Sequence, residues 1–134
     1  ADWCGNVDKF DPSEKITSIE PMLLDVVFEC CGQQEAIDAA IDTLKPGGKL
    51  VLIGIPEVGR ISFQIDLMRR KEICVQNIRR QVGCVQEALD MIDGKLFDVD
   101  AMTTHHFTFE QTKQAFDLVA GYKDGVVKAM IEFD

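Results

Sequence analysis

The chain has 134 residues, 46% of them apolar, and a formal net charge of −9. That is length for one domain and apolar content for a packed core, while the acidic balance argues against a nucleic-acid or anionic-membrane partner, either of which needs clustered positive charge. No apolar run approaches the roughly 18–20 residues of a bilayer span, so no membrane association is expected.

In chain order, Ala1–Asn6 is a short, apolar-leaning strand candidate. Asp11-Pro12-Ser13-Glu14 predicts a helix start: Asp11 can cap, Pro12 suits the first helical position, and Glu14 stands where the acid of a capping box belongs. Pro21 ends that helix. Residues 25–30 (Asp-Val-Val-Phe-Glu-Cys) form the next strand, and Ala36, Ile37, Ala40, Ile41 and Leu44 then fall on one helical face. Pro46-Gly47-Gly48 turns the chain into a strand over 49–55. Both strands are nearly unbroken apolar runs, the pattern of strands buried on both faces of a parallel sheet. Both end in small residues, Cys30-Cys31-Gly32 and Gly54-Ile55-Pro56, and in open α/β sheets the ligand crevice lies beyond the carboxyl ends of the strands.

Further on, 60–65 alternates, with Ile61, Phe63 and Ile65 on one side, which predicts a half-buried edge strand. A short helix over 66–71 follows, with Arg69-Arg70-Lys71 as its solvated end, and then a strand over 73–78. Val82, Val85, Ala88, Leu89 and Ile92 make an amphipathic helix that Gly94 can terminate. Residues 102–107 are extended. Thr108 and Gln111 form a capping box for a helix with Thr112, Ala115, Phe116 and Val119 inward, and 126–133 is a closing strand. Helices alternating with apolar strands predict an α/β fold with a mainly parallel sheet.

The five cysteines, at 4, 30, 31, 74 and 84, are odd in number and irregular in spacing, so a disulfide framework is not expected. They are expected reduced and mostly buried, which with the non-basic start Ala1-Asp2-Trp3 suggests a cytoplasmic protein. His105 and His106 are adjacent and on an extended segment point to opposite faces, so they do not share a metal easily; packing and hydrogen bonding are expected of them. Neither Gly-x-Gly-x-x-Gly nor Gly-x-x-x-x-Gly-Lys occurs, so the phosphate-cradling turn of a nucleotide fold is absent from this sequence.

Phe28-Glu29-Cys30-Cys31-Gly32, Gly47 to Ile55, Arg70-Lys71-Glu72-Ile73, and Thr104-His105-His106-Phe107 with Ala115-Phe116 resemble, in order and spacing, the carboxyl-terminal portion of zinc-type medium-chain dehydrogenases, the sorbitol (polyol), L-threonine and alcohol dehydrogenases among them. The resemblance extends over essentially the whole chain. It implies a partial Rossmann-type, doubly wound domain lacking its first βαβ unit, with 102–134 including the tail that returns toward a catalytic domain. It also implies that the chain, which starts at Ala1 without Met, is a fragment, with the zinc ligands, the glycine-rich turn and the ribose-binding acid lying before it. The cofactor would be NAD or NADP; zinc would belong to the parent enzyme, with no metal or catalytic residue expected here.

The resemblance places Ile53, Gly54 and Ile55 against the nicotinamide, although the glycine could equally serve a simple bend before Pro56. Cys31 and Gly32, after Cys30, would pass under the cofactor. A cysteine nucleophile is disfavoured because no His, Lys or Arg lies nearby in sequence to lower a thiol pKa. Ile78, Arg79 and Arg80 would stand beside the nicotinamide, Arg80 also facing substrate; both arginines could instead be solvated charges. Gln81 stands where polyol enzymes often carry Tyr. Lys128 would reach the pyrophosphate or else point outward from its strand.

The expected function is therefore the nicotinamide-side platform of an NAD(P)-dependent alcohol or polyol dehydrogenase, acting on a small alcohol or polyol and homo-oligomeric through residues 60–65. Two alternatives remain: a piece of an S-adenosylmethionine methyltransferase, since residues 44–52 would also suit a strand of that fold, and a non-enzymatic association module.

Overall fold

The computed structural model describes residues 2–80 and 82–133, in two compact units divided at residues 80 and 81. In the first, α1 (Pro12–Ile19) starts as its sequence requires: Asp11 Oδ1 accepts from the amides of Ser13 at 2.7 Å and Glu14 at 3.1 Å. Residues 2–6 are not a strand; Trp3 instead packs edge-on against Phe10, ring centroids 5.3 Å apart.

Strands β1 (Leu24–Glu29), β2 (Leu44–Leu52) and β3 (Cys74–Asn77) form a parallel sheet in that order, crossed by α2 (Gln34–Thr43) and α3 (Ile65–Lys71). The β1–β2 register jumps from Leu24–Leu44 to Val26–Lys49, so Lys45-Pro46-Gly47-Gly48 loops out opposite one residue, with Gly47 at φ +77°. β2 thus begins directly at the end of α2 and closes at Leu52, leaving 53–55 beyond the strand.

Ile37, Ala40 and Ile41 of α2 and Met68 of α3 bury against Leu44, Leu50 and Leu52, with Val27, Val75, Ile61 and Phe63 around them. Each fully buried side chain contributes about 1.5–3 kcal/mol of transfer free energy. Among the described residues α2 and α3 pack on one face of the sheet. On the other, Val26 and Phe28 of β1 remain 41% and 63% exposed, which corrects the expectation of burial on both faces for β1, whereas β2 meets it with Leu50, Val51 and Leu52 all buried. The apolar run specifies a sheet of this class, but the described residues supply helices for one side alone.

Segment 60–64 is not a strand. Its alternation is real burial, since Ile61 and Phe63 pack on the core, but its backbone is held by a side chain: the Gln34 amide donates to Ser62 O at 2.9 Å and accepts from Ser62 N–H at 2.9 Å. Nor is Lys71 a solvated helix end. Its ammonium donates to the carbonyls of Ile41, Asp42 and Leu44 at 2.9–3.0 Å, closing the carboxyl terminus of α2. Arg69 and Arg70 both pair with Asp66.

In the second unit, α4 (Val85–Asp93) ends at Gly94 as expected, but its apolar face is exposed at Val85, Leu89 and Ile92. β4 (Thr103–Thr108) and β5 (Lys128–Glu132) pair in parallel, and α5 (Thr112–Ala120) follows a formed Thr108–Gln111 capping box. Ala115 is buried, whereas Phe116 and Val119 are 68% and 45% exposed, so the inner face of α5 runs through Thr112, Ala115 and Leu118.

Candidate cofactor site

The parallel order β1-β2-β3 brings three segments to one edge of the first unit: Cys30-Cys31-Gly32 after β1, Ile53-Gly54-Ile55-Pro56 after β2, and Ile78-Arg79-Arg80 after β3. The first two are in direct contact. Gly32 has φ +74°, and a Cβ there would lie 2.6 Å from Ile55 O and 2.9 Å from Pro56 N. A Cβ on Gly54 would lie 2.2 Å from Gly32 N and 2.8 Å from Gly32 Cα. Each glycine is therefore required by the other segment's backbone, not by a simple bend. Ile78 continues the ladder, its N–H donating to Leu52 O at 3.0 Å, and Arg79 and Arg80 follow it, exposed. Ile53 and Ile55 are 42% and 69% exposed, an apolar surface at the strand ends.

Glu29 organises this edge, and the sequence reading passed over it. It is 4% exposed. Its Oε1 accepts from Gly32 N–H at 2.6 Å, Cys31 N–H at 2.8 Å and Cys31 Sγ at 3.0 Å, while its carbonyl accepts from the amides of Ile53 at 2.8 Å and Gly54 at 2.9 Å. Burial pushes the carboxyl pKa up, but the bonds from the Cys31 thiol and the Gly32 and Cys31 amides outweigh it, and the net shift is downward. The signal that could have found it is a lone acid inside an apolar strand.

Partial desolvation of the sulfur, and then the hydrogen bond to Glu29, push the Cys31 thiol up, so it stays protonated and is a poor nucleophile. All five cysteines are free and exposed, contrary to the expected burial: Cys30 and Cys31 lie past a strand end, and Cys74 points outward from the edge strand β3.

Lys128 opens β5 in the second unit and is exposed. Gln81 lies outside the described residues. His105 makes hydrogen bonds with Thr104 Oγ1 at 2.9 Å and Asp124 Oδ2 at 3.2 Å, and His106 with Glu132 Oε1 at 2.6 Å, the bonding role expected of them. Among the described residues no group of three His, Cys, Asp or Glu side chains could hold a metal ion. A depression of about 510 Å³ lies at the other end of β1, beside Glu20, Met22, Asp25 and Lys45, away from the strand carboxyl ends. No helix among the described residues is long and apolar enough to cross a membrane.

A parallel α/β sheet with two glycine-bearing strand ends packed together is the architecture of a partial Rossmann-type domain. The zinc-binding dehydrogenase pattern matches residues 1–94, and the chain belongs to that family, as the carboxyl-terminal portion of a zinc-type medium-chain dehydrogenase. It is 34% identical over 109 residues to L-arabinitol 4-dehydrogenase from Hypocrea jecorina, covering 80% of this chain and 28% of that protein. Sorbitol dehydrogenase from Bacillus subtilis (strain 168) is 24% identical over 127 residues, 94% of this chain and 36% of its own length. In fold, the chain superposes with TM-score 0.81 and 21% identity on a crystal structure from Sinorhizobium meliloti 1021 described as a zinc-binding dehydrogenase bound to NADP, over 95% of this chain and 38% of that one. The chain thus spans about a third of the length of the curated relatives it matches.

Proposed function

We propose that this chain supplies the nicotinamide-side platform of an NAD(P)-dependent, zinc-type alcohol or polyol dehydrogenase. The observation that carries the reading is the mutual packing of Gly32 and Gly54 at the carboxyl ends of two adjacent parallel strands. It leaves backbone and the apolar side chains of Ile53 and Ile55 as a surface on which a flat ring can lie. Cys31, Gly32, Ile53, Gly54 and Ile55 would line the nicotinamide, with Ile78, Arg79 and Arg80 beside it and Arg80 turned to substrate. A dinucleotide bound there would supply the hydride acceptor of the reaction, with this chain's strand-end residues holding its nicotinamide ring. Zinc is assigned to the rest of the enzyme. The relatives' names, sorbitol and L-arabinitol dehydrogenase, support a polyol substrate. We place the enzyme in the cytoplasm, consistent with five free cysteines.

The Gly-x-Gly-x-x-Gly turn is not in this sequence, so affinity of the chain for NAD is expected near millimolar, about −4 kcal/mol. The test is a titration of the isotope-labelled chain with nicotinamide mononucleotide to about 50 mM, well above that affinity, followed by amide chemical shifts. Shifts confined to 31–32, 53–55 and 78–80 are expected. Shifts elsewhere, or none, would overturn the reading.

A further inference from the structure

We propose that Glu29 is the positioning residue of the strand-end platform, its side-chain carboxylate fixing the Cys31-Gly32 turn and its backbone carbonyl fixing Ile53-Gly54, so that one residue sets where both cofactor-facing segments lie. Its functional meaning rests on the cofactor reading above; its geometry stands by itself. The strand-end turn donates to the Glu29 side chain three times: Gly32 N–H at 2.6 Å, Cys31 N–H at 2.8 Å and Cys31 Sγ at 3.0 Å. The Ile53 and Gly54 amides meet its carbonyl at 2.8 and 2.9 Å. The second carboxylate oxygen packs against Gly54, where a Cβ would come within 2.6 Å of it.

A carboxylate is an expensive group to bury, and an apolar side chain would fill the same space. An apolar side chain would also leave the Cys31 and Gly32 amides without an acceptor, free to turn away. What the acid adds is therefore the orientation of this turn, and through Gly32 the position of the Ile55-Pro56 peptide packed on it. It also fills, with an internal anion, the turn that leads into α2. That turn is thereby closed to a cofactor phosphate and left to a ring.

The test compares the chain with Glu29→Ala, Glu29→Gln and Glu29→Asp by amide hydrogen exchange. With Glu29→Ala, exchange at Gly32, Ile53 and Gly54 rises at least about tenfold while Val27, Leu50 and Val75 keep their protection. Glu29→Gln, which keeps the reach and one acceptor oxygen, restores most of it. It also restores the mononucleotide-induced shifts at 53–55 that Glu29→Ala abolishes. A uniform rise along β1, β2 and β3, or no rise at Ile53 and Gly54, overturns the proposal. Should Glu29→Ala fail to fold, the other two variants decide. Glu29→Asp keeps the charge but is one methylene short, and it should deprotect the platform more than Glu29→Gln does; the reverse order overturns the assignment. If the mononucleotide leaves the unaltered chain's spectrum unchanged, the cofactor reading fails, and the exchange pattern alone still decides what Glu29 holds.

Discussion

At Gly54 a Cβ would lie 2.2 Å from a backbone nitrogen of the adjoining segment, whereas at Gly47 nothing lies within 4 Å and only the φ of +77° excludes other residues. The two glycines therefore fail differently. Gly47→Ala should cost about 1 kcal/mol, the price of a left-handed residue. Gly54→Ala should cost about 2–3 kcal/mol, because backbone must move to admit the methyl group. Urea unfolding of both variants measures the difference; equal midpoints would contradict the close approach of Gly54 to Gly32. Glu29 adds a pH dependence. Its folded pKa lies below the ordinary 4.5, so its contribution is fully present above that value and is lost as pH falls through the lower folded value. The stability gap between the unaltered chain and Glu29→Gln should be flat at neutral pH and shrink in acid below 4.5. A gap that widens in acid would reverse the sign assigned to this carboxyl. The sequence displayed both glycines and the acid. It did not display that the glycines need each other, because that contact joins residues 32 and 54 across a sheet.

Two side chains do at the level of elements what sequence patterns are usually asked to do. Gln34 occupies both backbone groups of Ser62, and Lys71 occupies three carbonyls at the end of α2. Each bond spans 27–30 residues, so neither was visible in a local window. The alternation of Ile61 and Phe63 gave burial correctly and strand pairing wrongly for this reason: periodicity reports which side chains go inward, not what satisfies the backbone. Lys71, third in a run of basic residues, looked solvated for the same reason. Elements whose signal is local, such as the Asp11 cap, the Thr108–Gln111 box and the inward face of α2, lie where their residues placed them. Lys71→Met keeps the aliphatic stem and removes the charge-assisted bonds. It should destabilise the first unit by about 1–2 kcal/mol, net of surface screening. Arg70→Met, whose Asp66 pair is exposed, should cost no more than about 0.5 kcal/mol. Thermal unfolding of the two variants checks the ranking, and a larger loss at Arg70 would contradict it.

For the whole molecule, the exposed apolar surface sets the main expectation. In the described residues β1 pairs only with β2, leaving its other edge open, and Val26 and Phe28 of β1 stand exposed on the sheet face away from α2 and α3. An open edge and an apolar face together favour association with a second copy of the chain. Self-association had been expected through 60–65, but that segment is not a strand, and the Ser62 N–H and carbonyl are already bonded to Gln34. The surface better suited to it is β1. Phe28 is 63% exposed, so Phe28→Lys removes apolar surface from the face without touching the core. Phe63 packs against the core, so Phe63→Lys should unfold the chain instead of dissociating it. Sedimentation of the unaltered chain at about 100 μM, where even weak pairing worth about 6 kcal/mol is populated, should give a dimer or larger species. Phe28→Lys should shift it toward monomer with its circular dichroism unchanged. Ser62→Pro, which removes a donor that faces Gln34, should lower stability and leave the oligomer in place. A monomer in the unaltered chain would sink the prediction, and a dimer that survives Phe28→Lys would move the interface off this face.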